Sequence, residues 1–182
     1  GIFTGSGMIR VNQLELNKNN LPRVRAMVGL VFQNPDDQLF SPTVYEDVAY
    51  GPTYQGFDPH IVREKVALAL KAVHMEDYTL RNPYHLSSGE KKRIAIATVL
   101  SMQPQILAFD EPTAGLDPRA RRELIDLLLE LQQTMIIATH DMNMVEQLTP
   151  RTVLLNHGKI AADGPSLDIL RNDRLLMTNG LI

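Results

Sequence analysis

The hydrophobic pattern of this chain is dominated by three runs that are apolar or nearly so. They cover residues 27–32, 106–109 and 134–139. None alternates between apolar and polar positions, so we expect three strands of a mainly parallel sheet that is covered on both faces. Polar residues follow each run: Gln33 after the first, Asp110 and Glu111 after the second, and His140 after the third. Because Pro112 cannot continue the second strand, the two acids are expected at its carboxyl end, where open α/β sheets bind ligands.

Apolar residues at helical spacing lie between and after these runs. The first pattern covers residues 44–50 and is expected to stop before Gly51 and Pro52. The clearest amphipathic pattern follows the N-cap Asp58 and the first-turn Pro59. Its apolar positions are Val62, Val66, Ala69, Leu70 and Val73. Further helices are predicted over residues 94–102, after the Asp117-Pro118 cap, and from Asp141 to Leu148. The order strand, helix, strand, helix over residues 106–148 is typical of a parallel α/β sheet.

Shorter elements are expected before and after this core. Residues 8–15 predict a hairpin that turns near Asn12 and Gln13, and residues 17–25 predict a surface loop or a single helical turn. Residues 33–37 are expected to form a polar turn. A second hairpin is predicted to turn at His157 and Gly158, and Ser166 is expected to begin a last amphipathic helix.

Composition narrows the class of protein. The 182 residues are enough for one domain, and 44% hydrophobic with 21% charged residues is a globular composition. The formal charge of -3 gives no basic surplus for nucleic acid, and zero cysteines exclude disulfides and thiolate metal sites. No apolar run reaches the length of a membrane span, and the first residues lack the pattern of a secretory leader. Any membrane association is therefore expected to go through a partner.

The polar residues that end the three strands are the first candidates for chemistry. Asp110 and Glu111 can divide the work between metal binding and water activation, although a strand that ends in Asp-Glu is by itself equally consistent with an ordinary strand-to-loop transition. Gln33 read alone is a turn residue, and His140 is one of five histidines. An amide, two acids and an imidazole on one edge of one sheet are instead typical of a phosphoryl-transfer site.

Residues 86–90, Leu-Ser-Ser-Gly-Glu, are the second candidate. Small hydroxylated residues and a glycine at the start of a helix can close on a phosphate at the positive end of that helix. The alternative is an ordinary N-cap, with Ser87 as the cap and Glu90 in the first turn. Taken alone, the motif favours the N-cap.

The ordered set of motifs resembles the nucleotide-binding subunit of an ABC transporter. The set comprises Gln33, residues 86–90, residues 106–112, Ala114-Gly115-Leu116-Asp117 and His140, and it covers nearly the whole chain. Residues 33–44, with Glu46-Asp47-Val48 and Gly51-Pro52, are similar to the cobalt, nickel and vitamin importers of the energy-coupling-factor group. The resemblance implies an α/β, P-loop NTPase-like fold with a mainly parallel sheet flanked by helices. It further implies a single domain over residues 1–182, in which residues 44–102 form a helical subdomain that carries the signature motif.

The resemblance also implies roles for the residues at the sheet edge, with ATP and Mg²⁺ as cofactors. Asp110 would hold Mg²⁺, commonly through water, and Glu111 would be the general base that orients the attacking water. Gln33 would sense the γ-phosphate and the metal while its loop docks to the membrane subunit. His140 would contact the γ-phosphate.

Other residues would act across a dimer of two ATP-binding subunits, which the family forms as homo- or heterodimers. Ser87, Ser88, Gly89 and Glu90 would bind the nucleotide of the opposite subunit, and Asp117 would communicate between the subunits. Ser88 and Glu90 depart from the family's commonest Leu-Ser-Gly-Gly-Gln form, but each keeps a small or a polar residue. The resemblance places the protein at the cytoplasmic face of the cell membrane, peripherally bound to an integral membrane transporter subunit.

One motif of the family does not occur in these 182 residues. The family's phosphate loop reads Gly-x-x-x-x-Gly-Lys-Ser/Thr, whereas the only Gly-Lys pair here, Gly158-Lys159, is followed by Ile160. In the family this loop precedes the strand that leads to Gln33, and the chain begins at Gly1 without a methionine. We therefore expect an N-terminally truncated domain that lacks a strand, the loop and a helix. Such a fragment would be marginally stable, would expose apolar sheet surface, and would not bind ATP in its own half-site.

Two alternatives to a truncated ATP-driven import motor stay open. One is a non-catalytic regulatory or pairing subunit that contributes only residues 86–90 in trans. The other is a soluble ABC ATPase that acts on DNA or ribosomes, against which the net acidity and residues 34–52 argue. Neither the transported solute nor the composition of the dimer follows from the sequence.

Overall fold

A computed structural model describes residues 7–182, which form an α/β fold. In chain order the elements are strands β1 (Arg10–Val11) and β2 (Leu14–Glu15), helix α1 (Leu21–Met27), strand β3 (Val28–Val31), helices α2 (Val44–Tyr54), α3 (Pro59–Ala72) and α4 (Ser88–Leu100), strand β4 (Ile106–Asp110), helix α5 (Pro118–Glu130), strand β5 (Thr134–Ala138), helix α6 (Met142–Leu148), strands β6 (Arg151–Asn156) and β7 (Lys159–Pro165), and helices α7 (Ser166–Leu170) and α8 (Asp173–Thr178).

Strands β3, β4 and β5 form a parallel sheet in that order, with β4 in the centre. Val31 lies opposite Phe109, and Asp110 lies opposite Ala138. The carboxyl ends of the three strands therefore share one edge, as the sequence predicted. Strand β4 also has the predicted bounds.

The two faces of this sheet differ in exposure. Leu107 and Phe109 are buried on one face, in a core that they share with apolar side chains of α4 and α5. On the other face, Leu30 of β3 is 50% exposed and Ile136 of β5 is 62% exposed. The prediction of strands covered on both faces is therefore wrong for the described residues. Part of the apolar surface of the sheet is exposed there. A continuous apolar run indicates that both faces of a strand are apolar, but it does not indicate whether another element covers each face.

Helix α2 is longer than the pattern predicted. It begins at the N-cap Thr43, whose hydroxyl accepts a hydrogen bond from the Glu46 amide while the Glu46 carboxylate accepts one from the Thr43 amide. It then continues through Gly51 and Pro52 to Tyr54, so the predicted end before Gly51 is wrong. Pro52 costs one backbone hydrogen bond but is buried, and tertiary packing overrides the local preference to stop.

Helices α2, α3 and α4 pack against one another, and α4 also packs against β3. The five apolar positions predicted for α3 are all buried. Since α4 contacts both the other helices and the sheet, it joins the two parts of the fold. The division of the chain at residues 44–102 into a helical subdomain stays a prediction.

The predicted caps and hairpins are present. Asp58, Asp117 and Asp141 accept hydrogen bonds from first-turn amides of α3, α5 and α6. Strands β1 and β2 pair antiparallel around residues 12 and 13, and β6 and β7 pair around residues 157 and 158.

Two terminal predictions need correction. Residues 17–25 contain most of α1, a seven-residue helix and therefore more than a single turn. The last predicted helix is two short ones, α7 and α8, which are separated at Arg171 and Asn172.

Candidate functional site at the carboxyl edge of the sheet

Glu111 lies at the centre of the carboxyl edge. Its amide donates to the Ala138 carbonyl at 2.8 Å, which extends the pairing of β4 with β5 by one residue. Its backbone then adopts a left-handed conformation, with φ of 43°, which is uncommon for a residue other than glycine. Oε2 of the carboxylate accepts from the Thr139 hydroxyl at 2.9 Å, and Oε1 accepts from the His140 amide at 3.0 Å. The turn after β4 thus aims the Glu111 side chain at the end of β5.

The imidazole of His140 completes this contact. Its Nδ1 lies 2.6 Å from Oε1 of Glu111. The hydrogen bond to Glu111, together with the carboxylate's charge, raises the pKa of His140 above its ordinary value. The sequence predicted Glu111 and His140 on one edge, and the structure places them in direct contact.

Lys92 connects the backbone of Glu111 to the backbone of Gln33. It is a buried lysine of α4, only 3% exposed, and its ammonium donates to the Gln33 carbonyl at 2.7 Å and to the Glu111 carbonyl at 3.3 Å. Burial lowers the pKa of Lys92, and the charges of Glu111 and Asp110 oppose that shift. One ammonium therefore fixes the backbones of two predicted site residues.

The sequence analysis missed Lys92, although one signal was available. Lys92 precedes the buried Ile96 by four residues, which places it on the inner face of α4. A charge on the buried face of a helix is uncommon and points to a partner inside the fold. The predicted helix over residues 94–102 begins after Lys92, whereas α4 begins at Ser88.

Gln38 holds the loop after Gln33 and was also missed. Its side-chain carbonyl accepts from the Phe32 amide at 3.1 Å, and its side-chain amide donates to the Ala95 carbonyl at 2.8 Å. The Asn34 side chain accepts from the Asp36 amide, which forms the predicted polar turn. The Gln33 loop is thereby attached to both β3 and α4.

Asp110 ends β4 and is exposed, as is Gln33. The two residues end neighbouring strands, and both offer hard oxygen ligands of the kind Mg²⁺ prefers, with water in the remaining positions. Within residues 7–182, no group of three or more His, Cys, Asp or Glu side chains is arranged to hold a metal ion. The donor set thus suits a magnesium ion that is bound mainly by water and phosphate, and does not suit a closed protein cage.

The second predicted motif begins α4. Ser87 is the N-cap: its hydroxyl accepts from the Glu90 amide at 3.4 Å, and its own amide donates to the Glu90 carboxylate at 2.8 Å. The Tyr78 hydroxyl donates to the same carboxylate at 2.7 Å, and this hydrogen bond is the largest cause of the lowered pKa of Glu90. The N-cap interpretation of Ser87 is therefore confirmed. It does not exclude phosphate binding, because the remaining first-turn amides stay available.

Gly89 brings this motif next to Asp117. A Cβ on Gly89 would lie 3.1 Å from Cβ of Ala120 in the first turn of α5. Asp117 caps that turn by accepting from the Arg119 and Ala120 amides at 2.8 and 3.0 Å, which lowers its pKa. A cleft of about 430 Å³ opens nearby, and its lining includes Gln33, Ser88 and Lys92. Asp110, Glu111 and His140 do not line this cleft.

A polar cluster of Thr113, Arg121 and Asp141 lies next to His140 in the chain, because Asp141 follows His140 directly. The Asp141 carboxylate accepts from Nε of Arg121 at 2.6 Å, from the second guanidinium nitrogen, from the Thr113 hydroxyl at 2.9 Å and from the Met144 amide at 3.0 Å. These contacts, led by Arg121, hold the pKa of Asp141 at about 2. The Asp141 amide donates to the Thr139 hydroxyl at 3.0 Å, which in turn donates to Glu111.

Comparison with known proteins gives the family. Residues 9–146 match the family model described as "AAA domain, putative AbiEii toxin, Type IV TA system". An ABC transporter ATP-binding protein of Geobacter sulfurreducens is 52% identical over 172 residues, which are 94% of this chain and 69% of that protein. An ABC transporter ATP-binding protein of Gloeobacter violaceus is 50% identical over 182 residues, which are 99% of this chain and 75% of that protein.

Two further matches belong to named transporter complexes. The energy-coupling factor transporter ATP-binding protein EcfA of Methanothermobacter thermautotrophicus is 46% identical over 94% of this chain and 56% of its own length. The solved structure of CbiO1 from Clostridium perfringens, part of the ABC transporter complex CbiONQ, superposes with a TM-score of 0.87 and 35% identity. That match covers 100% of this chain and 75% of CbiO1. None of the helices within residues 7–182 is long and apolar enough to cross a membrane. The chain has the α/β, P-loop NTPase-like fold of CbiO1 and belongs to the family of ABC transporter ATP-binding proteins.

Proposed function

We propose that the chain is the ATP-binding and ATP-hydrolysing subunit of an importer of the energy-coupling-factor type. The observation that carries this proposal is the junction of three strand ends. Glu111 contacts His140 directly, and Lys92 ties the backbones of Glu111 and Gln33 together. The contact between Glu111 and His140 is not part of the hydrophobic core, since the His140 side chain is 80% exposed.

Each residue at the edge has a distinct chemical capacity in this proposal. Glu111 accepts a proton from the attacking water, and His140 contacts the γ-phosphate as a hydrogen-bond donor whose raised pKa favours the cationic form. Asp110 and Gln33 would hold Mg²⁺ through their oxygens and water, and the ion would supply positive charge that stabilises the phosphates. Gln33 also reports the presence of the γ-phosphate to its loop.

The residues at the start of α4 act in trans in this proposal. Helix α4, which has 13 residues, presents its positive end to the nucleotide of a second ATP-binding subunit through Ser87, Ser88, Gly89 and Glu90. Asp117 lies beside them and communicates between the two subunits. Residues 44–102 form the helical subdomain that carries this motif.

The transporter's membrane subunit is the other partner, and an aromatic groove supports this assignment. A groove of about 540 Å³ runs along α2 and is lined by Tyr45, Tyr50 and Tyr54, among other residues. Tyr50 is 56% and Tyr54 is 86% exposed. Exposed aromatic residues in a groove are typical of a protein–protein interface. In this arrangement the chain is peripheral, at the cytoplasmic face of the membrane, and the membrane subunits select a transition-metal ion, cobalt or nickel, or a vitamin.

Residues 1–182 contain no Gly-x-x-x-x-Gly-Lys-Ser/Thr loop. On their own these residues do not bind Mg-ATP in the half-site of Asp110 and Glu111. They do complete the half-site of a partner that supplies its own phosphate loop. The activity in trans is therefore the part of the function that residues 1–182 can contribute when such a partner is present.

An ATPase complementation assay tests this. The partner is a family member that carries the phosphate loop and has arginine in place of the serine equivalent to Ser87. We expect Mg-ATP turnover when residues 1–182 are added, and loss of that turnover with Ser87→Arg. Thr43→Arg is the matched control, because Thr43 makes the same capping box with Glu46 at the start of α2 but lies outside the motif.

Two results would contradict the proposal. Turnover that survives Ser87→Arg would show that α4 does not act in trans. Turnover by residues 1–182 alone that is abolished by Glu111→Gln would show that the half-site of Glu111 works without the phosphate loop.

A further inference from the structure

The Asp141 carboxylate joins three segments around the Glu111–His140 pair. Arg121 reaches it from α5, and Thr113 reaches it from the loop that follows Glu111. Asp141 itself is the residue after His140. Its side chain is 16% exposed, so the ion pair with Arg121 is largely shielded from water. Such a bidentate pair fixes direction as well as distance.

The cluster is connected to Glu111 by a continuous set of hydrogen bonds. The Asp141 amide donates to the Thr139 hydroxyl at 3.0 Å, and that hydroxyl donates to Oε2 of Glu111 at 2.9 Å. At the other end, the Arg121 amide donates to the Asp117 carbonyl at 2.9 Å. The first turn of α5, which Asp117 caps, is thereby connected to the carboxylate of Glu111.

We propose that Arg121 and Thr113 are positioning residues that, through Asp141 and Thr139, hold the Glu111 carboxylate against His140. This proposal rests on the proposed function only in treating Glu111 as the general base. The geometry itself concerns the chain without nucleotide. Neither residue touches Glu111 or His140 directly in the contacts that the structure shows, so neither is a catalytic residue.

The physical reason is that the backbone contacts of Glu111 to Ala138 and Lys92 do not by themselves fix the direction of its carboxylate, which depends on the Thr139 hydroxyl and the His140 amide. Its backbone is in the left-handed region, and the loop after it is fixed to Asp141 only through the Thr113 hydroxyl two residues later. Without Arg121, the Asp141 carboxylate keeps its charge and its bonds to the Thr113 hydroxyl and the Met144 amide, but it loses its strongest partner, and we expect it to move toward water. Thr139 and the His140 amide would then lose their alignment with Glu111.

Amide hydrogen exchange on residues 1–182 without nucleotide tests this. The informative amides are those of His140, which donates to Glu111, and Asp141, which donates to Thr139. Arg121→Met keeps most of the side-chain stem and removes the guanidinium. We expect exchange at both amides to rise by about tenfold or more, as for loss of hydrogen bonds to a charged group, with no change at core amides such as that of Phe109.

Arg119→Met is the matched control. Arg119 lies on the same helix two residues earlier and pairs with Glu123, and its side chain is 84% exposed. We expect no change at His140 or Asp141. Thr113→Val is a second, independent variant that removes one hydrogen bond and keeps the shape, and we expect about a threefold to tenfold rise at the same amides.

The imidazole resonances of His140 supply a readout that a purely structural role would not move. In Arg121→Met they should shift toward those of Glu111→Gln, in which the pair is lost by direct substitution. Equal exchange in Arg121→Met and Arg119→Met would overturn the proposal, as would acceleration at Phe109 to the same extent as at His140. If Arg121→Met does not fold, unchanged exchange in Thr113→Val would overturn it equally. Because no nucleotide is present, failure of ATP binding leaves these outcomes unaffected.

Discussion

Strand β3, which leads to Gln33, packs against α4 at Gly29. Replacing Gly29 with alanine tests this packing. A Cβ at this position would lie 2.1 Å from Cγ1 of Val99 and 3.1 Å from Cγ of Pro104. The first distance is far below any contact that carbon atoms make in proteins. The added methyl group therefore cannot be accommodated unless β3 or α4 moves.

The cost follows from the stiffness of the two neighbours. Val99 is β-branched and lies in a helix, so its χ1 angle has one strongly preferred value, and the ring of Pro104 cannot rotate away. Overpacking of this kind costs about 1–3 kcal/mol, and the entropy that alanine removes from the unfolded chain returns about 0.4–1 kcal/mol. We expect Gly29→Ala to lower the free energy of unfolding by about 1 kcal/mol, the cost of overpacking less this gain.

Urea unfolding of three alanine variants provides the measurement. In Gly51→Ala the new methyl group meets the side chain of Met102, with Cγ at 2.6 Å and Sδ at 2.7 Å, and a flexible methionine can move aside. Gly164 has no atom within 4 Å of the added Cβ and serves as the matched control. We expect the loss of stability to fall in the order Gly29→Ala, Gly51→Ala, Gly164→Ala, with the last near zero.

The double variant Gly29→Ala, Val99→Ala separates the clash from other effects. Removing the Val99 methyl groups makes room for the new Cβ, so the two substitutions should couple by more than about 0.5 kcal/mol, the usual limit of additivity. Equal midpoints for Gly29→Ala and Gly164→Ala, or strict additivity with Val99→Ala, would refute the packing of β3 on α4. The attachment of the Gln33 backbone to Lys92 would then lose its structural basis.

Three further predictions concern titratable groups. Burial lowers the pKa of Lys92, so the native state binds this proton less tightly than the unfolded state. The stability of the wild type relative to Lys92→Met should therefore rise as the pH approaches about 10.4, the pKa of lysine in the unfolded chain. Urea unfolding at a series of pH values measures this difference. Asp141 has a pKa of about 2 against an unfolded value of 3.8, so its ionised form contributes about 2 kcal/mol above pH ~4, and the advantage of wild type over Asp141→Asn should vanish as the pH falls through 2. Tyr78→Phe should raise the pKa of Glu90 in an NMR titration, whereas Tyr84→Phe, which removes a hydroxyl that does not bond to Glu90, should leave it unchanged.

The edge of the sheet was predictable because it depends on local patterns. Apolar runs gave the three strands, and Asp58, Asp117 and Asp141 gave the starts of three helices. Once the strands are parallel, the residues that follow them must share an edge, whatever the details of packing. Since β4 and β5 are neighbours, Glu111 and His140 follow adjacent strand ends.

The contacts that fix those residues were not predictable in the same way. Lys92 and Gln33 are 59 residues apart, and Gln38 and Ala95 are 57 apart. No periodic pattern connects such positions, because the bonds depend on how α4 lies against β3. The extension of α2 through Pro52 is a similar case, since its buried position in the packed helices outweighs a local signal to stop.

Ser87 and Asp117 show why a structural role and a functional role need not compete. Each side chain caps its own helix, so the simpler interpretation of each residue is correct. A cap, however, satisfies only one or two of the amides that a helix leaves free in its first turn, and it fixes the direction in which the others point. Capping by Ser87 is therefore compatible with the anion site that we propose at the start of α4. A substitution at Ser87 would remove the cap and the proposed site together, and a second capping box, such as that of Thr43, allows the two losses to be measured separately.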